Sequence, residues 1–123
     1  MILIFTAVAQ SFRLLGVPTF AAAAATYTAQ ASDLVNFTTS TDKIKTIITQ
    51  KWAALNTYDP LESWNDWRRL HIPASLPISI YPGTTATHIP YRLLYPTSEY
   101  SFNADNVNAE GTITPDSKIF WMP

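Results

Sequence analysis

Two segments in the middle of the chain carry apolar residues at spacings of three and four. In the first segment these residues are Ile44, Ile47, Ile48, Trp52 and Leu55, and in the second they are Leu61, Trp64, Trp67 and Leu70. Such spacing puts the apolar side chains on one face of a helix. The pattern predicts helices over 42–56 and 60–70, and the short break between them predicts an antiparallel helical hairpin.

The residues at the starts of both segments support this prediction. Ser40, Thr41 and Asp42 are all N-cap types. Before the second helix, Asp59 can cap, Pro60 suits the first helical position, and Glu62 stands three residues after the cap, as in a capping box.

The first 31 residues are nearly uncharged and allow three interpretations. A membrane span is interrupted by Gln10, Arg13 and Pro18. A secretory signal would find a cleavage site at 29–31 (Ala-Gln-Ala), but it lacks a basic start and carries Arg13 inside its apolar run. The third interpretation is two ordinary helices over about 2–15 and 19–31, since Pro18 favours the start of a new helix and alanine is the best helix former. We favour the two helices.

The chain changes character after His71. Five prolines punctuate residues 71–96, namely Pro73, Pro77, Pro82, Pro90 and Pro96. Proline cannot donate to a helix ladder, so residues 71–123 are predicted to be largely irregular. At most a short strand is expected around Ile78, Ile80 and Tyr81, and a short helix from Thr97 to about Ala104. The predicted fold class is mainly α, with helical hairpins followed by a long Pro-rich irregular segment.

Composition removes several function classes. The 123 residues set a ceiling of one domain. Apolar residues make up 47% and charged residues only 14%, against about 25% in typical globular chains, so disorder is not expected. Eight basic and nine acidic residues leave no positive excess for nucleic-acid phosphates. The absence of cysteine excludes disulfides, thiolate metal sites and cysteine nucleophiles.

No motif in the chain selects a catalytic reaction. His71 and His88 do not form a zinc signature, and no Gly-rich phosphate loop is present. Four carboxylates could in principle supply a glycosidase pair, namely Glu62, Asp66, Glu99 and Glu110, but their spacing selects no pair. We therefore expect no enzymatic activity and no cofactor.

The aromatic and basic residues can be interpreted as structural. Exposed aromatic rings can stack on sugars, whereas rings at helical spacing usually fill a core. Trp52 and Trp64 are predicted to lie in the core, and Trp67 is left open. Arg68 and Arg69 adjoin the end of the second helix, where cations interact favourably with the helix dipole.

Several segments together resemble the C-terminal region of SusD/RagB-like outer-membrane lipoproteins. The matching elements are an I-x-x-Q-K-W helix, a W-x-x-x-R-R helix, an I-P-x-R-x-x-Y-P-x-x-E-x-x-x-N segment and an aromatic end, in this order over residues 43–122. The preceding helix matches more weakly at 11–17. The signature positions are Trp64, Arg68, Arg69, Arg92 and Glu99, which we interpret as structural. We expect Arg92 to pair with a carboxylate, with Glu99 as first choice.

The resemblance implies that the whole chain, 1–123, is the C-terminal portion of a larger, mainly α-helical, tetratricopeptide-like protein. Such proteins bind glycans or other nutrients on the cell-surface side of the bacterial outer membrane and close over a TonB-dependent transporter barrel (SusC/RagA-like). They are not enzymes. Full members are several times longer and begin with a signal peptide and a lipid-bearing cysteine. Most sugar-contacting positions would lie in that absent part, so no ligand-binding residue is assigned here.

An alternative is a free-standing small helical protein that binds a partner through exposed apolar helix faces. The two hypotheses differ in one observable property. A fragment should fold poorly alone, whereas a free-standing domain should melt cooperatively as a monomer.

Overall fold

The computed structural model describes residues 2–80 and 88–122, and within them the fold is mainly α, as predicted. Six helices are formed in these ranges: α1 (Ile2–Leu14), α2 (Phe20–Thr28), α3 (Lys43–Leu55), α4 (Pro60–Leu70), α5 (Thr97–Phe102) and α6 (Ala104–Ala109). Ile78 and Ile80 do not form the short strand that was considered for them, and Tyr81 lies outside the described residues. The chain divides into two units, Met1–Ser75 and Leu76–Pro123.

Small side chains let α1 and α2 pack closely in the first unit. Val8, Ala9 and Ala24 form its buried centre, and Ala24 is 0% exposed. The rings of Phe12 and Tyr27 extend this core, with centroids 5.5 Å apart. Gly16 ends α1 in the left-handed region at φ 73°, where glycine carries no steric penalty.

Helix α2 is shorter than the predicted 19–31. Thr19 has a left-handed backbone at φ 51°, so the helix begins at Phe20. At the other end, the Gln30 N–H donates to the Tyr27 carbonyl, three residues back, and the Ser32 N–H donates to the Gln30 carbonyl. These tighter turns end the helix at Thr28. Among the described residues, no helix is long and apolar enough to cross a membrane.

The caps of α3 and α4 are those that the sequence indicates. Asp42 Oδ1 accepts from the Lys45 N–H at 2.9 Å, and Asp59 Oδ1 accepts from the Glu62 N–H at 3.1 Å. Thr46 fastens the preceding loop to α3, since its buried hydroxyl donates to the Asp33 carbonyl at 2.6 Å.

Replacing the α4 cap should cost measurable stability. We expect Asp59→Ala to lower the free energy of unfolding by about 1 kcal/mol, because the Glu62 N–H loses its acceptor. Urea denaturation followed by circular dichroism measures this difference. Asp59→Ser keeps an acceptor oxygen and should stay within about 0.5 kcal/mol of the parent. Equal losses in the two variants would contradict a capping role.

The apolar stripe of α3 is only partly covered. Ile48 is buried, but Ile44 is 61% and Ile47 is 40% exposed. Trp52 and Trp64, which were predicted to lie in the core, are only half-buried, whereas Trp67, which was left open, is buried. Trp67 lies beside the buried residues Ser63 and Asp66 of α4, so this face of the helix turns inward.

Among its described residues, the second unit has two short helices, and the rest is irregular. Residues 71–123 were predicted to be largely irregular, with one short helix from Thr97 to about Ala104. The structure has two consecutive helices there, α5 and α6. Val107 is buried, and Gly111 ends this region at φ 78°.

Candidate functional site

A group of charged side chains connects α3 to α4. Lys51 Nζ lies 2.6 Å from Glu62 Oε1 and 2.6 Å from Asp66 Oδ2. Arg69 Nη2 lies 2.9 Å from the other oxygen of Asp66. Glu62 and Asp66 are four residues apart, so one face of α4 presents both carboxylates to Lys51. We call these four residues the α3–α4 charge cluster.

Burial and hydrogen bonding act in opposite directions on Asp66. Its side chain is only 11% exposed, and burial alone would raise the pKa of this carboxyl. The hydrogen bonds from Lys51 and Arg69 outweigh burial and hold the pKa of Asp66 below its ordinary value. In turn, the hydrogen bond to Asp66, followed by that to Glu62, raises the pKa of Lys51. Asp66 and Lys51 therefore both stay charged around neutral pH.

This electrostatic arrangement does not suit the Glu62 and Asp66 pair to acid catalysis. A catalytic acid in a glycosidase needs a raised pKa, whereas that of Asp66 is lowered. Both carboxylates are bound to one ammonium group, which fits a helix-to-helix connection.

Arg68 and Arg69 bind side chains one turn back along α4. The Arg68 guanidinium carbon lies 3.8 Å from the Trp64 ring centroid, and Nη2 donates to Asn65 Oδ1. Arg68 is buried, and burial lowers the pKa of its guanidinium. These contacts add stacking and hydrogen bonds to the helix-end interaction expected from the sequence. Three signature residues, Trp64, Arg68 and Arg69, thus lie together on α4.

In the second unit the carboxylate beside Arg92 is Glu110, and the expectation of Glu99 was wrong. Arg92 Nη1 lies 4.0 Å from Glu110 Oε2, and Tyr95 donates its hydroxyl to Glu110 Oε1 at 2.9 Å. Glu99 instead accepts from Asn103 Nδ2 at 3.0 Å, one turn later. Glu99 thus has a local partner in the residue that follows its own short helix, while Glu110 follows α6 and contacts the 92–95 stretch.

The two histidines lie in different units. His71 follows α4 with a left-handed backbone. Its ring stands nearly perpendicular to that of Trp67, with the ring centroids 5.5 Å apart. His88 Nε2 lies 2.7 Å from Asp116 Oδ1. Among the described residues, no three His, Cys, Asp or Glu side chains come together as a group that could hold a metal ion.

An apolar groove lies open on the first unit. It has a volume of about 590 Å³ and lies between α1, α2 and α3. Mostly aliphatic side chains line it, including Ile4, Val8, Leu15, Ile47, Ala54 and Leu55. Gln50 and Lys51 provide polar atoms at its wall, and both are already engaged, with the Leu34 carbonyl and with the α3–α4 charge cluster. The groove is suited to apolar packing.

A comparison with known protein families shows which family the chain is related to. A model of the SusD-like family, described as starch-binding and associating with the outer membrane, matches residues 6–96. The chain belongs to the SusD-like family. The match covers most of α1 and all of α2, α3 and α4, and it includes Trp64, Arg68, Arg69 and Arg92. Glu99 and helices α5 and α6 lie beyond it.

The SusD-like match thus confirms the resemblance found in the sequence, and the family description supplies glycan binding and association with the outer membrane. No curated protein and no solved structure matches the chain.

Sequence reasoning did not find several of the residues that organise these sites. Lys51 entered the sequence analysis only as part of the I-x-x-Q-K-W segment, and Glu110 only as one of four carboxylates. The spacing of Glu62 and Asp66 was a usable signal for Lys51, because side chains four apart share a helix face. Nothing local predicts the Glu110 contact, which joins residues 18 positions apart in sequence.

Proposed function

We propose that this chain is the C-terminal portion of a SusD-like lipoprotein that binds glycans on the cell-surface side of the outer membrane. There it closes over a TonB-dependent transporter barrel of the SusC/RagA-like class. The observation that carries the proposal is the family match over residues 6–96, which brings starch binding and outer-membrane association. The lipid anchor, the surface location and the transporter are finer assignments, drawn from the resemblance of the signature segments.

The uncovered apolar faces of the first unit support a larger protein around it. The stripe residues Ile44 and Ile47 and the groove-lining Leu15 are all at least 40% exposed. Large contiguous apolar patches are unusual on complete monomers. We assign the remaining helices of the same lipoprotein as the structure that covers the groove.

A substitution in the groove tests this assignment. In the full-length lipoprotein, Ile47→Asn should lower the free energy of unfolding by about 1–3 kcal/mol, because it buries an amide among apolar groups. In the 123-residue chain alone, where Ile47 is 40% exposed, the same change should cost less than about 1 kcal/mol. Chemical denaturation of both proteins provides the comparison.

The matched control is Lys45→Asn, since Lys45 is an exposed residue on the same helix. It should leave both proteins within about 0.5 kcal/mol of their parents. An equally small effect of Ile47→Asn in the full-length protein would contradict coverage of the groove. It would favour the alternative of a free-standing module with an open interaction face.

Purification from the native outer membrane tests the transporter assignment. An affinity tag at the C terminus of the full-length protein should recover a TonB-dependent barrel in near-equal amount after mild detergent extraction. The purified complex should bind starch-type oligosaccharides in calorimetry without releasing cleaved sugars. Recovery of the tagged protein without a barrel would overturn the transporter assignment, and sugar release would overturn the binding-only role.

A further inference from the structure

Two stretches of the second unit, 88–95 and 110–117, are bound to each other at three places. In the middle, the Pro115 carbonyl accepts from the backbone N–H groups of Tyr91 at 2.8 Å and Arg92 at 3.3 Å. At one end, Glu110 accepts from the Tyr95 hydroxyl. At the other end, His88 Nε2 lies 2.7 Å from Asp116 Oδ1. We call the last contact the His88–Asp116 clasp.

A tight turn over 114–117 presents the carboxylate of the clasp. The Ser117 N–H donates to the Thr114 carbonyl, and the Thr114 N–H donates to Ser117 Oγ, both at 3.0 Å. The Asp116 N–H also donates to Thr114 Oγ1 at 3.3 Å. These bonds fix Asp116 at the corner of the turn. The position of the turn on 88–95 therefore depends on its contacts with Tyr91, Arg92 and His88.

Of the charged groups in this unit, His88 has the side-chain type whose charge changes near neutral pH. Histidine ordinarily gains its proton between pH 8 and pH 5. The groups that the described contacts place against His88 are the Asp116 carboxylate and the Tyr91 ring, whose centroid lies 5.6 Å away. The remaining charged residues of the unit are Arg92, Glu99, Asp105, Glu110 and Lys118. Side chains of these types ordinarily keep their charge across that range.

We propose that protonation of His88 closes the clasp and holds the C-terminal segment more firmly on the 88–95 stretch. With a proton on both ring nitrogens, His88 donates a charge-assisted hydrogen bond to Asp116. Without the second proton this charge attraction is lost, while the backbone bonds from Tyr91 and Arg92 to the Pro115 carbonyl remain. Beyond the turn lies an apolar end, 119–122, in which Phe120 is fully exposed. Acidification thus strengthens the attachment of the turn that immediately precedes this apolar end.

Amide hydrogen exchange by NMR tests this proposal directly. Protection of residues 116–118, corrected for the intrinsic pH dependence of exchange, should be about two- to fivefold higher at pH 5.5 than at pH 7.5. This is the range expected for one partly exposed ion pair. Asp116→Asn and His88→Gln should each remove the pH dependence. His71→Gln should retain it, because His71 lies in the first unit.

Both clasp side chains are at least 40% exposed, so their replacement should leave the fold intact, which circular dichroism can verify. Equal protection of residues 116–118 at both pH values in the parent chain would overturn the proposal. A pH dependence that persists in Asp116→Asn would overturn it as well, because another group would then be responsible.

Discussion

Ala24→Leu should destabilise the first unit by about 2–3 kcal/mol. Ala24 is 0% exposed and packs with Val8 and Ala9 where α2 meets α1. Three additional carbon atoms cannot fit there unless the two helices move apart, and overpacking of this kind typically costs 1–3 kcal/mol. Helix propensity does not offset the cost, because leucine and alanine are both good helix formers. The free energy of unfolding from urea titration, followed by far-ultraviolet circular dichroism, measures the effect.

The alanine run supplies a matched control for this substitution. Ala22 lies on the same helix two residues earlier, but its side chain is exposed. Ala22→Leu should therefore change stability by less than about 0.5 kcal/mol. Similar values for the two leucine variants would mean that α2 does not pack on α1 through Ala24.

Asp66→Asn should cost about 2 kcal/mol at pH 7, and this cost should shrink in acid. The substitution removes the negative charge that Lys51 and Arg69 share and leaves a mostly buried amide beside two cations. We place the estimate below the 3–5 kcal/mol for a fully buried pair because Lys51 is 37% and Arg69 is 57% exposed.

The pH dependence follows from the direction of the pKa shift. The pKa of Asp66 is lower in the folded chain than in the unfolded chain. Its contribution is therefore complete above the unfolded pKa of about 3.9 and is lost as the pH falls through the folded value. The stability curves of the parent and of Asp66→Asn should converge below about pH 4. Curves that remain parallel from pH 7 to pH 3 would show that the cost has another cause.

Glu62→Gln is the control within the same cluster. Its side chain is 45% exposed and contacts only one of the two cations, Lys51. Exposed ion pairs contribute less than about 1 kcal/mol, so this variant should lose far less stability than Asp66→Asn at pH 7.

The first unit could largely be predicted from local sequence signals. Asp42, Asp59 and Pro60 mark helix starts through interactions within one turn, and the structure places them there. The inward face of α4 was less predictable. Trp64 and Trp67 both fall on the apolar stripe, and only the contacts of Lys51 with Asp66 show which side of the helix meets α3.

Partners that are distant in sequence could not be predicted, because no signal within one helical turn identifies them. Glu99 was the first choice of partner for Arg92, and both residues belong to the same signature segment. The preference was overturned because Glu99 already has Asn103 one helical turn away, whereas Glu110 leaves α6 facing Tyr95 and Arg92. The groove could not be predicted from the pattern of α3 either. An apolar stripe predicts that one helix face is buried, but it does not identify the segment that packs on that face.

The mass of the native polypeptide tests the central claim most directly. An antibody raised against this chain should isolate its natural product from the outer-membrane fraction of the source bacterium, and intact mass spectrometry should then weigh it. The account predicts a lipid-modified polypeptide several times heavier than 13.7 kDa that contains the sequence described here. A sole product of 13.7 kDa without lipid would contradict it and would favour a free-standing helical module.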